Sequence, residues 1–430
     1  MFDSAGQVHC ADSGLPPGPA FGCRRRLPIF FPVRCLVVYN SALEPYSVSG
    51  VLRYFADVVP CWTAAGHEID FLTAQAAFPL YRTFFPQARL LASDRRFVFE
   101  RNLRQTWRYL PAFAWRMITP HFTRLPVKYD AVLACAQFIY EVGPARTIAR
   151  RCQAALAVKI HHILHSQRQT TTPFDHLHLW SERRTARWLN RESDLILTST
   201  PLVARHFAEL ETSLGLKPSP TLPTGYGVDL ANLPFRDGGP GDCEYDAVLL
   251  GRIHEAKGIY DVPALWQAVR RGRPDARLLI IGDGPHREEL QRRLSGCGLG
   301  PETGAVTFTG GIADAEKNRL LPRCRVGLSL SREEGWGLSV TEFLAVGLPV
   351  VAMEVPVFRE VFPGQLDLVP QEDTTAAATR LLHWLNHPEA AMARGKAGRE
   401  FVRQYDHRSV ADREMAALEA AVVKSRKKFQ

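Results

Sequence analysis

The stretch from Ser331 to Val351, SREEGWGLSVTEFLAVGLPVV, sets two carboxylates, Glu334 and Glu342, eight residues apart around a Gly-Trp-Gly. Its pattern predicts a strand end, a loop and a short helix, LSVTEFLAV, which Gly347 stops and Pro349 follows. The backbone N–H groups of Gly335, Trp336, Gly337 and Leu338 would then lie at a helix start, where an anion or a sugar oxygen is favoured. Carboxylates beside such amides suit hydroxyl donors. Read as structure alone, Glu334 complements the helix dipole and Glu342 is an exposed helix residue. That reading leaves the two glycines without a purpose.

Two other turns carry residues of the same chemical kind. In LLGRIHEAKGI an apolar run ends at Gly251 and releases Arg252 and Lys257, cations that can converge on a diphosphate or stay as solvated surface charges. In LLIIGDGPHREEL, Gly282 and Gly284 permit close backbone approach to a ligand. A nicotinamide enzyme is the competing reading of that turn. It fails because Arg287 stands where the third glycine belongs, and Glu302 precedes the next strand instead of ending it.

Turns of this kind need strands and helices to aim them. Ten short apolar runs, among them RCLVVYN, EIDFLTA, DAVLACA, ALAVKI, DAVLLGR and VGLSLS, alternate with helical periods. Such runs predict parallel sheets covered on both faces, and they are too many for one sheet of five or six strands. The expected fold class is α/β with two Rossmann-like halves facing each other across a cleft. Pro and Gly concentrate between Leu214 and Asp242, so the expected domains are 31–220 and 221–405, followed by a closing helix over 406–430 that packs back on the first. Residues 1–30, with GLPPGPAFG, read as a disordered tail.

Composition narrows the class. The 430 residues are 46% apolar and 23% charged, which excludes disordered, collagenous and membrane-spanning chains. Nine scattered cysteines without a C-x-x-C pair indicate reduced thiols and a cytoplasmic protein, and no zinc-ligand spacing occurs. The net charge of +9 attracts anions. Arg95, Arg96, Arg101, Arg104, Arg108, Arg116, Arg124 and Lys128 face only Glu100 in their segment, interleaved with Trp107, Tyr109, Phe113, Trp115 and Phe122. That mixture suits peripheral contact with an anionic membrane at its inner face, or a charged acceptor. The alternative is a solvated insertion with core aromatics; no nucleic-acid motif accompanies the charge.

The Glu334-to-Val351 segment resembles the E-x7-E signature of family 4, or group 1, retaining glycosyltransferases of the GT-B fold. GRIHEAKG resembles that family's G-R-x4-K-G element, IIGDGP its strand end, FTGGI with Gly311 its next turn, and PTGYGVD its linker with extra residues. The resemblance runs from Cys35 to about Ala420 in the family's order.

It implies a metal-independent hexosyltransferase that uses a nucleoside-diphosphate sugar as co-substrate, with no cofactor and no metal site. The acceptor is a glycan, a lipid or a small molecule. Arg252 and Lys257 would bind the diphosphate, Glu342 the ribose, Glu334 the sugar hydroxyls, and the amides from Gly335 to Leu338 the sugar and phosphate. In VKIHHILHSQ the family has one histidine at the strand end near the sugar; His162 is preferred here over His161, with a solvated pair as the alternative. The family's Gly-Gly loop over the diphosphate is reduced to Gly50 in EPYSVSGVLRYF. The competing function is a nucleotide-sugar-binding protein of the same fold with weak or lost transfer.

Overall fold

The computed structural model describes residues 31–40, 50–94, 109–164, 173–236 and 243–428. The tail expected over 1–30 and most of the basic segment lie outside the described residues. Residues Val33–Gln430 form one compact unit, in which two parallel sheets make two lobes.

The first sheet contains β1 (Arg34–Tyr39), β2 (Glu68–Ala74), β3 (Leu90–Asp94), β4 (Ala131–Ala134), β5 (Ala155–Ile160), β6 (Leu195–Thr198) and β7 (Leu222–Pro223), in the order β3-β2-β1-β4-β5-β6-β7. Between them run α1 (Gly50–Ala64), α2 (Phe78–Phe84), α3 (Tyr109–Phe122), α4 (Ile139–Cys152), α5 (Pro173–Glu192) and α6 (Pro201–Ser213). β4 and β5 are buried along their whole length, as parallel strands covered on both faces must be. Leu36, Val132, Val158, Ile160 and Phe207 belong to the core on one of those faces.

The second sheet contains β8 (Tyr245–Leu250), β9 (Leu278–Ile281), β10 (Val306–Gly310), β11 (Cys324–Ser329), β12 (Val350–Met353) and β13 (Asp367–Val369), in the order β10-β9-β8-β11-β12-β13. Its helices are α7 (Val262–Gly272), α8 (Arg287–Gly296), α9 (Asp314–Leu320), α10 (Leu338–Val346), α11 (Pro356–Val361) and α12 (Thr374–Asn386). Trp266, Leu278, Leu328 and Leu381 belong to its core. The strand order reverses between β1 and β4, and again between β8 and β11. At such a reversal the two connections leave to opposite sides and open a crevice beyond the strand ends.

Three strands escaped the sequence pattern: β3, β7 and β13. Each is a sheet edge, and LLASD, LP and DLV are too short or too mixed to show an apolar run. β7 lies just past the expected division at 220: Leu222 and Pro223 pair with β6 and belong to the first sheet.

After α12 come α13 (Pro388–Val402) and α14 (His407–Lys428). α14 returns to the first lobe, where Ala411 accepts a hydrogen bond from Trp62 Nε1 at 2.9 Å and Arg426 pairs with Asp130 at 2.7 Å. The chain therefore crosses between lobes twice, and the crossings touch: Val228 N donates to the Tyr405 carbonyl at 2.8 Å. A Cβ on Gly227 would stand 2.6 Å from His407 Cα, so this contact requires glycine.

The deepest link is ionic. Lys159 of β5 is fully buried, with Nζ 2.6 Å from Glu414 of α14, 2.6 Å from Thr224 Oγ1 and 3.2 Å from the Gly225 carbonyl. Tyr54 of α1 also donates to Glu414. Burial lowers the Lys159 pKa, and Glu414 opposes that effect. Removing one partner strands a buried charge, so Glu414→Leu is expected to cost about 3–5 kcal/mol. The double variant Lys159→Met, Glu414→Leu should recover most of that loss; denaturation melts in which both variants are equally weakened would contradict this account.

Candidate functional site

At the reversal of the second sheet, β8 ends and Gly251 and Arg252 lead into a short 3-10 turn over Glu255–Lys257. His254 opens the turn, its Nδ1 accepting from Ala256 N at 3.2 Å, and Gly258 closes it with φ 62°. A Cβ on Gly258 would lie 1.9 Å from the Leu330 carbonyl, so only glycine lets the turn rest on the end of β11. The result brings Lys257 Nζ to 2.5 Å from Glu334 Oε1, which also accepts from Ser331 Oγ at 2.8 Å. Arg252 is exposed at the start of the same turn. Burial and then the Arg252 charge lower the pKa of His254.

Gly282 and Gly284 have a packing reason of their own. Their absent side chains make room for the carbonyls of Gly251 and Ile253, which a Cβ at these positions would approach to 2.0 and 2.2 Å, so the two strand ends meet backbone to backbone. Gly311 is exposed, and nothing lies within 4 Å of the Cβ direction.

The loop between β11 and α10 follows Glu334. Gly337 has φ 106°, and a Cβ there would lie 2.6 Å from Phe358. Trp336 is expected at the ligand through its backbone amide, and its side chain turns into the protein. Its side chain is buried, Nε1 donates to Thr341 Oγ1 at 3.0 Å, and the ring sits edge-on to Tyr405 and tilted against Tyr226, which leaves only its backbone for contact. Leu338 starts α10 on the cleft side, and Gly347 with φ 84° ends it.

Gly335 meets the first lobe. Its Cβ position is 3.1 Å from the His161 carbonyl and 4.0 Å from His162 Cβ, so this loop lies directly on the end of β5. Gly50, the first residue of α1, faces Leu338 from the same lobe at 3.9 Å. The two histidines differ in role. His161 is buried, with Nε2 2.8 Å from the Cys135 carbonyl and Nδ1 against the Tyr226 hydroxyl. Burial, then the charges of Lys159 and His162, push its pKa well down. A neutral ring with Nε2–H on Cys135 must accept at Nδ1, so Tyr226 donates and both nitrogens are engaged inside the protein. His162 is only half-buried, and its carbonyl accepts from Gln137 Nε2 at 2.6 Å.

Tyr226 was missed by the sequence reading, although the extra residues of PTGYGVD marked its place. Arg116 is a further correction. Instead of joining a basic surface it is buried, with Nε 2.6 Å from Asp94 and a second contact to the Asn40 carbonyl.

A cleft of about 740 Å³ opens between the lobes beside Leu338 and Glu342. Arg53 and Asp57 of α1 line one side, and Asp314, Lys317 and Asn318 of α9 the other. Glu342 Oε1 is 2.5 Å from Lys317 Nζ, which also reaches Asp314 at 2.8 Å, and Asp314 accepts from Arg53 across the lobes. A second cavity of about 750 Å³ adjoins Glu334, with Glu255, Tyr260, Arg332, Glu333 and His206 on its walls. Among the described residues no group of three or more His, Cys, Asp and Glu could hold a metal ion.

Asp57 contributes a pH dependence to the fold at this cleft. Burial raises its pKa from 3.8 to about 6; the Arg53 charge works against this, Glu342 adds to it and His407 subtracts. A carboxyl that holds its proton more tightly when folded stabilises the fold fully below the unfolded value, and that contribution is lost as pH rises through about 6. Asp57→Asn should therefore raise Tm at neutral pH, by up to about 3 kcal/mol of stability. The difference should shrink towards acid pH in a melting series. A difference that does not vary with pH would contradict the assignment.

Comparisons with known proteins follow the same lines. Residues 244–387, which span most of the second lobe, match the model of the family described as Glycosyl transferases group 1. Glycogen synthase of Mycobacterium tuberculosis is 28% identical over 227 residues, 52% of this chain and 53% of its own. Phosphatidyl-myo-inositol mannosyltransferase of Mycobacterium leprae is 31% identical over 211 residues, 48% of this chain and 54% of its own. The chain thus spans about half the length of these relatives. The crystal structure of Anabaena HepE in complex with UDP and glucose superposes with a TM-score of 0.68 over 90% of this chain and 99% of that one, at 16% identity, a likeness of fold alone. Two parallel α/β lobes give the chain the GT-B fold, and its second lobe, over residues 244–387, is similar in sequence to the group 1 glycosyl transferases.

Proposed function

We propose that this protein transfers a hexosyl group from a nucleoside-diphosphate sugar to a hydroxyl of a glycan, lipid or small molecule, with retention of configuration and without a metal cofactor. The observation that carries this reading is the Lys257–Glu334 pair at the β8/β11 reversal, set against the end of β5 through Gly335. HepE holds UDP and glucose, which supports a sugar nucleotide as donor, and the two relatives act by name on a glycan and on a lipid.

In this reading the C–O bond between sugar and diphosphate breaks, and its electron pair goes to the phosphate oxygen. The acceptor oxygen forms the new bond and gives up its proton to the leaving phosphate oxygen. Negative charge grows on the leaving diphosphate, so Arg252 and Lys257 act by stabilising it. Glu334 has one oxygen committed to Lys257 and Ser331, and offers the other to sugar hydroxyls. Glu342 accepts from the ribose, the amides from Gly335 to Leu338 line the phosphate and sugar, and His162 faces the sugar. His161, with both nitrogens engaged, holds the strand end in place.

Arg252→Ala and Lys257→Ala are each expected to weaken UDP, GDP or ADP binding and to lower turnover roughly a hundredfold. Thermal shift with the three diphosphates and their hexose conjugates, followed by product anomer analysis by NMR with and without EDTA, tests the whole reading. Undiminished affinity in both variants removes the diphosphate assignment. Tight donor binding with neither hydrolysis nor transfer to any acceptor extract would favour a binding protein of the same fold.

The lipid side of the reading rests on α3. Trp115, Ile118 and Phe122 are exposed at helical spacing on one face, Phe122 by 82%, and exposed Arg124 and Lys128 follow the helix. Among the described residues no helix is long and apolar enough to cross a membrane. Replacing Trp115 and Phe122 by Ser should reduce sedimentation with anionic phosphatidylglycerol vesicles; unchanged binding would return the segment to a solvated insertion.

A further inference from the structure

The ribose carboxylate has a partner that no motif names. Lys317 of α9 is buried, with its ammonium 2.5 Å from Glu342 Oε1 and 2.8 Å from Asp314 Oδ1. Asp314 in turn accepts from Arg53 of α1, whose guanidinium also pairs with Asp57 at 3.2 Å. The chain Arg53–Asp314–Lys317–Glu342 thus runs from the first lobe, across the cleft, to the second glutamate of the signature. Burial disfavours the Lys317 ammonium, but Glu342 and the bonds to Asp314 outweigh that and hold its pKa above the ordinary value.

We propose that Lys317 is a positioning residue for the nucleotide ribose, acting through Glu342, and that Arg53 reaches the same ribose through Asp314. The proposal rests on the reading of Glu342 as the ribose-binding carboxylate. Without Lys317 the cleft would hold Glu342, Asp57, Asp229 and Asp314 against Arg53 and Arg319, and Glu342 would lose the ammonium that fixes its Oε1. With Lys317 present, Oε1 is fixed, and Oε2 has no hydrogen-bond donor among the described residues. A carboxylate held in this way offers its remaining lone pairs to the two hydroxyls of a ribose. Because Lys317 also grips Asp314, movement of Arg53 with the first lobe changes the field at Glu342.

A purely structural lysine and a ribose-positioning lysine predict different things. Loss of the first would weaken every nucleotide alike. Loss of the second would erase the preference for ribose over deoxyribose. The experiment titrates UDP, GDP and ADP and their 2′-deoxy forms by calorimetry against the wild type, Lys317→Met, Lys317→Arg, Arg53→Met and Glu342→Gln. A hydroxyl bonded to a charged group is worth about a ten- to hundredfold preference for the ribose form in the wild type. Lys317→Met should bring that ratio close to one, Lys317→Arg should keep most of it, and Arg53→Met should lower it less than Lys317→Met. If Lys317→Met does not fold by circular dichroism, Asp314→Asn replaces it, with a partial loss of the ratio expected and an unchanged ratio counting against the proposal. Loss of the preference in Glu342→Gln but not in Lys317→Met overturns the role of Lys317 and leaves the ribose reading intact. Retention of the preference in Glu342→Gln overturns the ribose reading and this proposal with it, as does failure of all three diphosphates to bind.

Discussion

A lysine ammonium buried in the middle of a parallel sheet must find a counter-charge and acceptors, and the fold is arranged around that need. Lys159 finds its carboxylate on Glu414 of the last helix and its other partners, Thr224 and the Gly225 carbonyl, in the connection that leaves the first lobe. Both crossings between the lobes therefore converge on one side chain. The next link follows in sequence: Tyr226, held at this junction and packed on Tyr54, gives its hydroxyl to His161 and its ring to Trp336. The wall of the cleft at the end of β5 is thus set by the same buried charge that ties α14 down.

Two lysine–glutamate pairs repeat one electrostatic device at the two glutamates of the signature. Lys257 takes one oxygen of Glu334 and Lys317 takes one oxygen of Glu342. In each case the cation holds one carboxylate oxygen, and the glutamate lines a cavity. The glycines serve close approach more than flexibility. Gly258 lets Lys257 lie on the end of β11, and Gly335 lets the loop touch the end of β5. A side chain at either place would press on a carbonyl that the sheet holds fixed, and the pairs would lose their register.

Much of this was legible in the chain itself. Apolar runs gave away the interior strands because a strand buried on both faces must be apolar throughout. The edge strands β3, β7 and β13 stayed hidden, since an edge needs neither length nor continuous apolarity. In the site, Arg252, Lys257, Glu334 and Glu342 were recognisable because their spacing after strand ends fixes which side of the sheet they leave from. Gly347 and the start of α10 at Leu338 were equally readable, since a positive-φ stop and a helix period are local properties.

The sequence by itself determined the fold class, the two-lobed order and which charged residues stand at the strand ends, because periodicity and turn chemistry act over a few residues. Only the tertiary structure decided what those residues pair with. It turned Trp336 into a packing residue, buried Arg116 on Asp94, divided His161 from its neighbour and brought in Tyr226, Arg53 and Lys317. Such partners lie up to a few hundred positions away in the chain, and no local pattern encodes them. Charge pairing and close packing select them only once both sheets stand in place.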